Sequence, residues 1–259
     1  MNTSFVERAA REAEVWDHQS LQRERYEDTL AHANEGPARG RRDRFVGECV
    51  ADLNGKTVLE IGTQAWGGML NKHGVRPASV TCINISTTET EIGRKYAETM
   101  GFTADFRVMD AHTLDFPDNH FDFVYGVAIL HHLELERALK ELFRVVKPGG
   151  RILFIEPLRL NPVAQMVRLL TPKARTEDER PFGPAELKVF ERYFQCEYRF
   201  SELFHLPAAV LSRFLFKNPV NVLTSAFDRL DHVLASAFPK MGIIYRTVAI
   251  YGRKLQGPA

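Results

Sequence analysis

The chain has 259 residues, of which 44% are hydrophobic and 26% are charged, and its formal net charge is +1. Such a composition is typical of a globular protein that needs no disulfides or structural metal to fold, and the near-neutral charge argues against a nucleic-acid partner. We find no stretch of about 18 apolar residues, the length that predicts a membrane-spanning helix. The charged start "MNTSFVERAAREAEVWDHQ" does not resemble a secretory signal.

The cysteine pattern indicates a reducing compartment. Cys49, Cys82 and Cys196 lie far apart, without a CxxC pair and without a histidine at metal-ligand spacing. We therefore expect reduced cysteines, no metal site and a cytoplasmic location.

The first 50 residues predict helices. Their apolar side chains lie among dense mixed charge, which favours exposed helices over a buried strand. The segment "ANEGPARG" (33–40) predicts a break before a second helix at about 41–52.

From residue 55 onward, predicted strands and helices alternate. Helices are predicted over 87–101 and 134–150, the second ended by Pro-Gly-Gly. Alternation of this kind predicts an α/β fold with a Rossmann-like parallel sheet and helices on both faces. The predicted strands are "KTVLEIG" (56–62), "SVTCINIS" (79–86), "DFRVMDA" (105–111), "HFDFVYGVAIL" (120–130) and "RILFIEP" (151–157).

After Pro157 the alternation is interrupted by two insertions. We expect residues 161–180 to contain an apolar helix and a polar loop, and 204–244 to be largely helical. A helix is predicted over 183–194, and strands over 195–203 and 245–254, including an antiparallel terminal strand. The expected organisation is a helical N-terminal region at 1–50, an α/β core at 51–160, 181–203 and 245–259, and insertions at 161–180 and 204–244 that form a substrate lid or an interface.

Residues that follow the predicted strands are candidates for a ligand site, because open parallel sheets bind ligands at the carboxyl ends of their strands. Each candidate also has a structural alternative, as a turn former, a cap or a support for its neighbours. The candidates are Gly62 and Thr63 after the first strand, Asn84 after the second, Asp110 and Ala111 after the third, His131 and His132 after the fourth, and Glu156 at the end of the fifth.

The apolar segment 204–240 allows four interpretations. Its large side chains recur at three- and four-residue steps, which predicts amphipathic helices. These helices would pack on the core, cover an apolar substrate, form a homodimer interface or lie on a membrane. Arg213, Lys217 and Arg229, beside the apolar faces, favour the membrane.

The motifs "VLEIG", "INIS" and "MDAHTLDFPDNHFDFVYGVAILHHLELERALKELFRVVKPGGRILFIEP" together resemble class I S-adenosylmethionine-dependent methyltransferases of the small-molecule type. The resemblance is strong over 55–157. It implies S-adenosylmethionine as cofactor and a natural product, sugar or lipid-like molecule as acceptor. It also implies that an N-terminal helix with Trp16 and Tyr26 forms a lid over the cofactor.

The resemblance assigns roles to individual residues. It implies that Asp110 binds the adenine amine beside the Ala111 N–H, and that Asn84 faces the ribose hydroxyls. The catalytic base is expected among His131, His132 and Glu156. The implied cofactor-binding residues are Gly62, Thr63, Gln64, Asn84, Ile85, Asp110, Ala111 and Val127.

The first loop departs from the family pattern Gly-x-Gly-x-Gly. It reads Gly62-Thr63-Gln64-Ala65-Trp66, and the acidic ribose partner is replaced by Asn84. We expect these changes to fill space at the ribose and methionine end. They leave two alternatives to methyl transfer: another reaction of the same cofactor, by aminobutyrate transfer or cyclisation, or a non-catalytic protein.

Overall fold

The computed structural model describes residues 31–170 and 179–255. Within these ranges the strands are β1 Thr57–Ile61, β2 Ser79–Asn84, β3 Asp105–Val108, β4 Phe121–Val127, β5 Val146–Pro157, β6 Phe194–Ser201 and β7 Thr247–Lys254. The α-helices are α1 Ala31–Glu35, α2 Pro37–Val50, α3 Thr87–Thr99, α4 Leu135–Val145, α5 Pro162–Leu170, α6 Pro184–Phe190, α7 His205–Leu215 and α8 Val222–Ala237.

The strands form one sheet in the order β3-β2-β1-β4-β5-β7-β6. Strands β1 to β5 pair in parallel, whereas β7 lies antiparallel between β5 and β6. The predicted Rossmann-like sheet with an antiparallel terminal strand is confirmed. The strand order reverses between β1 and β4, so their carboxyl ends border the crevice in which such sheets bind ligands.

Helices cover both faces of the sheet, as predicted. Neighbouring residues of β1 belong to different apolar clusters because side chains alternate across a strand. Val58 packs with Val46 and Val50 of α2, and Leu59 packs in the cluster that includes Leu139 of α4. The central strands are therefore buried on both sides.

The N-terminal break is much shorter than predicted. Only Gly36 separates α1 from α2, because Pro37 occupies the first position of α2, where a missing N–H costs nothing. The prediction of a break over 33–40 is wrong. Trp16 and Tyr26, expected in a lid helix, lie outside the described residues.

Two other boundaries also differ from the predictions. Helix α4 ends at Val145, because Val146 is extended and pairs with Phe121; the predicted helix over 134–150 is therefore too long. Strand β4 ends at Val127. Ala128 has a positive φ of 51°, and Leu130–His132 forms a 3-10 turn instead of continuing the strand.

The segment predicted as apolar and helical forms a helical hairpin of α7 and α8, followed by the 3-10 turn Pro239–Ile244. Helix α7 packs against α1 through Leu206, Ala209 and Ala33. Across the described ranges, no helix combines the length and apolarity needed to cross a bilayer.

Candidate active site

A cavity of about 820 Å³ lies at the carboxyl ends of β1 to β4. Its floor is formed by the residues that follow these strands, and α2 supplies another wall through Arg39, Arg42, Asp43 and Val46. The volume falls within the roughly 300–1,000 Å³ of typical small-molecule and cofactor sites. The cavity occupies the crevice that the strand order defines.

The cavity brings the predicted cofactor-binding residues together. Of the three predicted catalytic residues, His132 lines the cavity, whereas His131 and Glu156 are buried outside its lining. The predicted cofactor-binding residues in its wall are Gly62, Thr63, Gln64, Asn84, Ile85, Asp110, Ala111 and Val127.

Glu60, which sequence reasoning missed, holds the loop after β1. One oxygen of its fully buried carboxyl group accepts hydrogen bonds from the N–H groups of Gln64 at 2.7 Å and Ala65 at 2.9 Å. Its second oxygen accepts one from the Tyr125 hydroxyl at 2.6 Å. Burial raises the pKa of Glu60 to about 8, although the hydrogen bonds from Tyr125 and Ala65 oppose the rise. The sequence does contain a signal for this role, because Glu60 is an acidic residue within a strand that is predicted to be buried.

The expectation that Trp66 fills the space above the loop is wrong. Trp66 is fully buried, does not line the cavity, and lies between Phe102 and Tyr96, with ring centroids 4.5 Å and 5.4 Å away. Gln64 does reach the cavity, and its amide donates to a Glu89 carboxylate oxygen at 3.0 Å. Gly62, with a φ of +84°, makes the turn at which the strand ends.

Polar groups from β2 and α3 form one end of the cavity. Asn84 accepts a hydrogen bond from the Ser86 N–H at 2.9 Å, and its own amide lies 3.4 Å from the Thr63 hydroxyl. Glu89, in the first turn of α3, adds a carboxylate to the same wall. A carboxylate thus lies in the same wall as Asn84, five positions later in the chain.

Asp110 is held by His112, another residue without a predicted role. One oxygen of Asp110 accepts from the His112 N–H at 2.9 Å and lies 2.6 Å from the ring Nδ1. The other ring nitrogen accepts from the Glu134 N–H at 2.8 Å, which places the ring proton on Nδ1. Burial alone would raise the pKa of Asp110, but the hydrogen bonds from His112 outweigh it and lower the pKa.

Glu156 and His131 support the turn that carries His132. Glu156 is fully buried and accepts from the N–H groups of Ile129 at 3.1 Å and Leu130 at 2.9 Å. Its other oxygen lies 2.7 Å from His131 Nδ1. Burial lowers the pKa of His131, as does the neighbouring His132, against the opposing effect of Glu156.

Three cations line the cavity beside α2. Arg39 and Lys72 both lie near the Asp43 carboxylate, and Arg42 lies 3.8 Å from Glu202. This part of the wall therefore carries three cations and the Asp43 carboxylate. In the described part of the chain, no group of three or more His, Cys, Asp or Glu residues is placed to hold a metal ion.

Part of the chain is similar in sequence to a known protein family. Residues 59–154 match the protein family described as "Methyltransferase domain". This part of the chain is therefore similar to a methyltransferase domain, in agreement with the motifs.

A curated methyltransferase is also similar to part of the chain. The chain is 29% identical over 118 residues to the ubiquinone/menaquinone biosynthesis C-methyltransferase UbiE of Psychromonas ingrahamii, covering 44% of this chain and 47% of that one. The chain spans about half the length, or less, of the curated relatives that it matches first.

Solved structures show the same fold. Geranyl diphosphate C-methyltransferase from Streptomyces coelicolor A3(2) has a TM-score of 0.59 and 15% identity, covering 84% of this chain and 79% of that one. The [4+2]-cyclase SpnF has a TM-score of 0.56 and 20% identity, covering 84% of this chain and 81% of that one.

Proposed function

We propose that the protein is an S-adenosylmethionine-dependent methyltransferase that acts on a small, largely apolar molecule. The observation that carries this proposal is the gathering of hydrogen-bond acceptors, apolar side chains and cations around one cavity at the ends of β1 to β4. The methyltransferase domain at 59–154 supports it.

The donors and acceptors present fit this cofactor. The Asp110 carboxylate would accept from the adenine amine beside the Ala111 N–H, with Ile85 against the ring. Asn84 and Glu89 would bind the ribose hydroxyls, because both carry acceptors on the same wall. Gly62 to Gln64 would approach the ribose and methionine, and Val127 would lie beneath the reacting group.

The remaining cavity residues would position the acceptor. When bound, S-adenosylmethionine supplies an electrophilic methyl group, so the protein must align an acceptor atom with it. His132 is our candidate for the base, because it is the predicted catalytic residue that lines the cavity. His131 and Glu156 are better suited to holding the His132 turn than to touching an acceptor, since both are buried outside the lining.

An apolar acceptor fits the apolar part of the cavity wall. Leu133, Ile129, Ile155 and Met109 all contribute to that wall. The similar proteins are named for ubiquinone or menaquinone biosynthesis and for geranyl diphosphate. We assign 161–180 and 204–244 to insertions around this core. A cytoplasmic location and a homodimer or membrane contact through 204–240 remain predictions.

A second candidate function is a different reaction of the same cofactor. The similarity in fold to the cyclase SpnF favours keeping this alternative, because it shows that the fold accommodates another chemistry. A non-catalytic protein is the third candidate.

Product analysis separates these candidates. The protein is incubated with S-adenosylmethionine and a panel of prenylated quinone precursors, prenyl diphosphates and sterols, and the nucleoside product is identified by mass spectrometry. The proposal predicts S-adenosylhomocysteine in equal amount to a product heavier by one methylene. Methylthioadenosine would indicate aminobutyrate chemistry, and an acceptor changed without consumption of the cofactor would indicate cyclisation.

A further inference from the structure

The tip of the α7–α8 hairpin exposes large apolar side chains. We define this tip as residues 211–222. Phe214 is 80% exposed, Val222 74% and Leu215 63%, and Leu211, Phe216 and Val220 are also exposed. Isolated exposed apolar residues are common, but six within one twelve-residue segment indicate an interaction surface.

The hairpin surface carries no exposed carboxylate side chain in the described residues. From residue 203 to the end of the chain, the acidic side chains are Asp228 and Asp231. Asp228 accepts from Arg41 at 2.6 Å and is buried. Asp231 is buried and accepts from the N–H groups of Leu203, Phe204 and His205. Both acidic groups of α8 therefore point into the fold.

Exposed cations flank the apolar tip. Arg213 and Lys217 lie within it, and Arg229 lies further along α8; all three are exposed. The outward surface is thus apolar and positively charged. This combination is complementary to an anionic lipid surface, which accepts apolar side chains below its headgroups and cations among them.

We propose that the α7–α8 tip docks on an anionic lipid membrane. Phe214, Leu215 and Val222 enter the headgroup region, and Arg213 and Lys217 pair with lipid phosphates or carboxylates. A two-fold contact between copies of this tip is disfavoured, because a self-complementary interface brings the same cations face to face without a carboxylate between them.

The hairpin is also connected to the cavity wall. Arg41 of α2 reaches Asp228 of α8, while Arg39, Arg42 and Val46 of the same helix line the cavity. Docking of the tip on a membrane would therefore restrain α2, which forms part of the cavity wall. The proposal does not depend on methyl transfer, since lipid binding is measured without any acceptor.

Co-sedimentation with vesicles tests the docking. We expect the wild-type protein to bind phosphatidylcholine vesicles containing 30% phosphatidylserine in 0.1 M salt, and to bind pure phosphatidylcholine at least tenfold more weakly. Arg213→Gln/Lys217→Gln should weaken binding about thirtyfold, since each cation near an anionic surface contributes about one factor of five. Phe214→Ser/Leu215→Ser should weaken it about tenfold or more.

Matched controls are available on distant parts of the sheet. Val108→Ser on the edge strand β3 removes an apolar side chain that is 54% exposed, and Arg253→Gln removes an exposed cation of β7. Both should bind vesicles like the wild type. A Phe214→Trp variant should show a blue-shifted emission when anionic vesicles are added, relative to the protein alone.

Two results would overturn the proposal. One is equal binding of the wild type and the tip variants to anionic vesicles. The other is a wild-type dimer in light scattering that Phe214→Ser/Leu215→Ser converts to a monomer, without vesicle binding by either. That outcome would identify the tip as an interface between copies.

Discussion

Trp66 stacks on Phe102, with ring centroids 4.5 Å apart and an angle of 14° between the planes. The side chain that departs most from the family's glycine loop is therefore a core residue. It packs beneath α3 and leaves the cavity to the backbone of Gly62 to Ala65.

Replacement of Trp66 should change stability more than cofactor binding. Trp66→Gly should lower the free energy of unfolding by about 3–5 kcal/mol, because it empties a fully buried site. Trp66→Phe keeps a ring against Phe102 and should lower the free energy of unfolding by less than Trp66→Gly does. Denaturant unfolding measures the stability, and calorimetry on the folded Trp66→Phe variant measures cofactor affinity.

The control is Gln64→Gly, which changes the exposed loop residue and should leave stability within about 1 kcal/mol. If Trp66→Phe weakened cofactor binding tenfold without a loss of stability, Trp66 would belong to the site and not to the core.

Because the pKa of Glu60 is raised in the folded protein, we expect the stability to depend on pH. Its pKa is about 8 in the folded protein against an ordinary value of 4.5. The folded state thus retains a proton that the unfolded chain releases. The resulting stabilisation is complete below about pH 4.5 and is lost as pH rises towards 8. The expected slope is at most about 1.4 kcal/mol per pH unit.

Glu60→Gln isolates this contribution. The amide retains an oxygen for the N–H groups of Gln64 and Ala65 but cannot titrate. From pH 5 to pH 8 the unfolding free energy of the wild type should therefore fall relative to that of the variant. Parallel curves for the two proteins would show that Glu60 has the same protonation in both states.

The sequence predicted the fold and the position of the site because both depend on local patterns. The sequence alone shows buried strands, capped helices and the residues that follow each strand, because recognising them requires no knowledge of tertiary contacts. The roles of Glu60 and His112 could not be predicted, because they depend on hydrogen bonds with Tyr125 in β4 and with Glu134 at the start of α4. Trp66 was misjudged because a sequence does not show which way a loop side chain turns.

Asp110→Ala should weaken cofactor binding by about 1–3 kcal/mol, the usual cost of leaving buried hydrogen-bonding groups without partners. Calorimetric titration of S-adenosylmethionine measures the change. Asp115→Ala, at an exposed position five residues later, is the control and should bind like the wild type. A change of only a few tenths of a kcal/mol in Asp110→Ala would place the adenine elsewhere.

His132→Gln should lower kcat by about 10²–10⁴-fold if the histidine removes a proton from the acceptor. The rise of the wild-type rate with pH should also disappear in the variant. His131→Gln is the comparison, because its ring supports the turn through Glu156. It should retain the pH dependence while losing stability. Equal rate losses with unchanged pH profiles in both variants would assign both histidines to structural support.

Calorimetric titration of the wild-type protein with S-adenosylmethionine tests whether the cavity is a cofactor site. We expect one site per chain with a micromolar Kd, and we expect weaker binding by Asp110→Ala and unchanged binding by Asp115→Ala. Absence of binding at millimolar S-adenosylmethionine would contradict it, because the cavity at the ends of β1 to β4 would then not be a cofactor site.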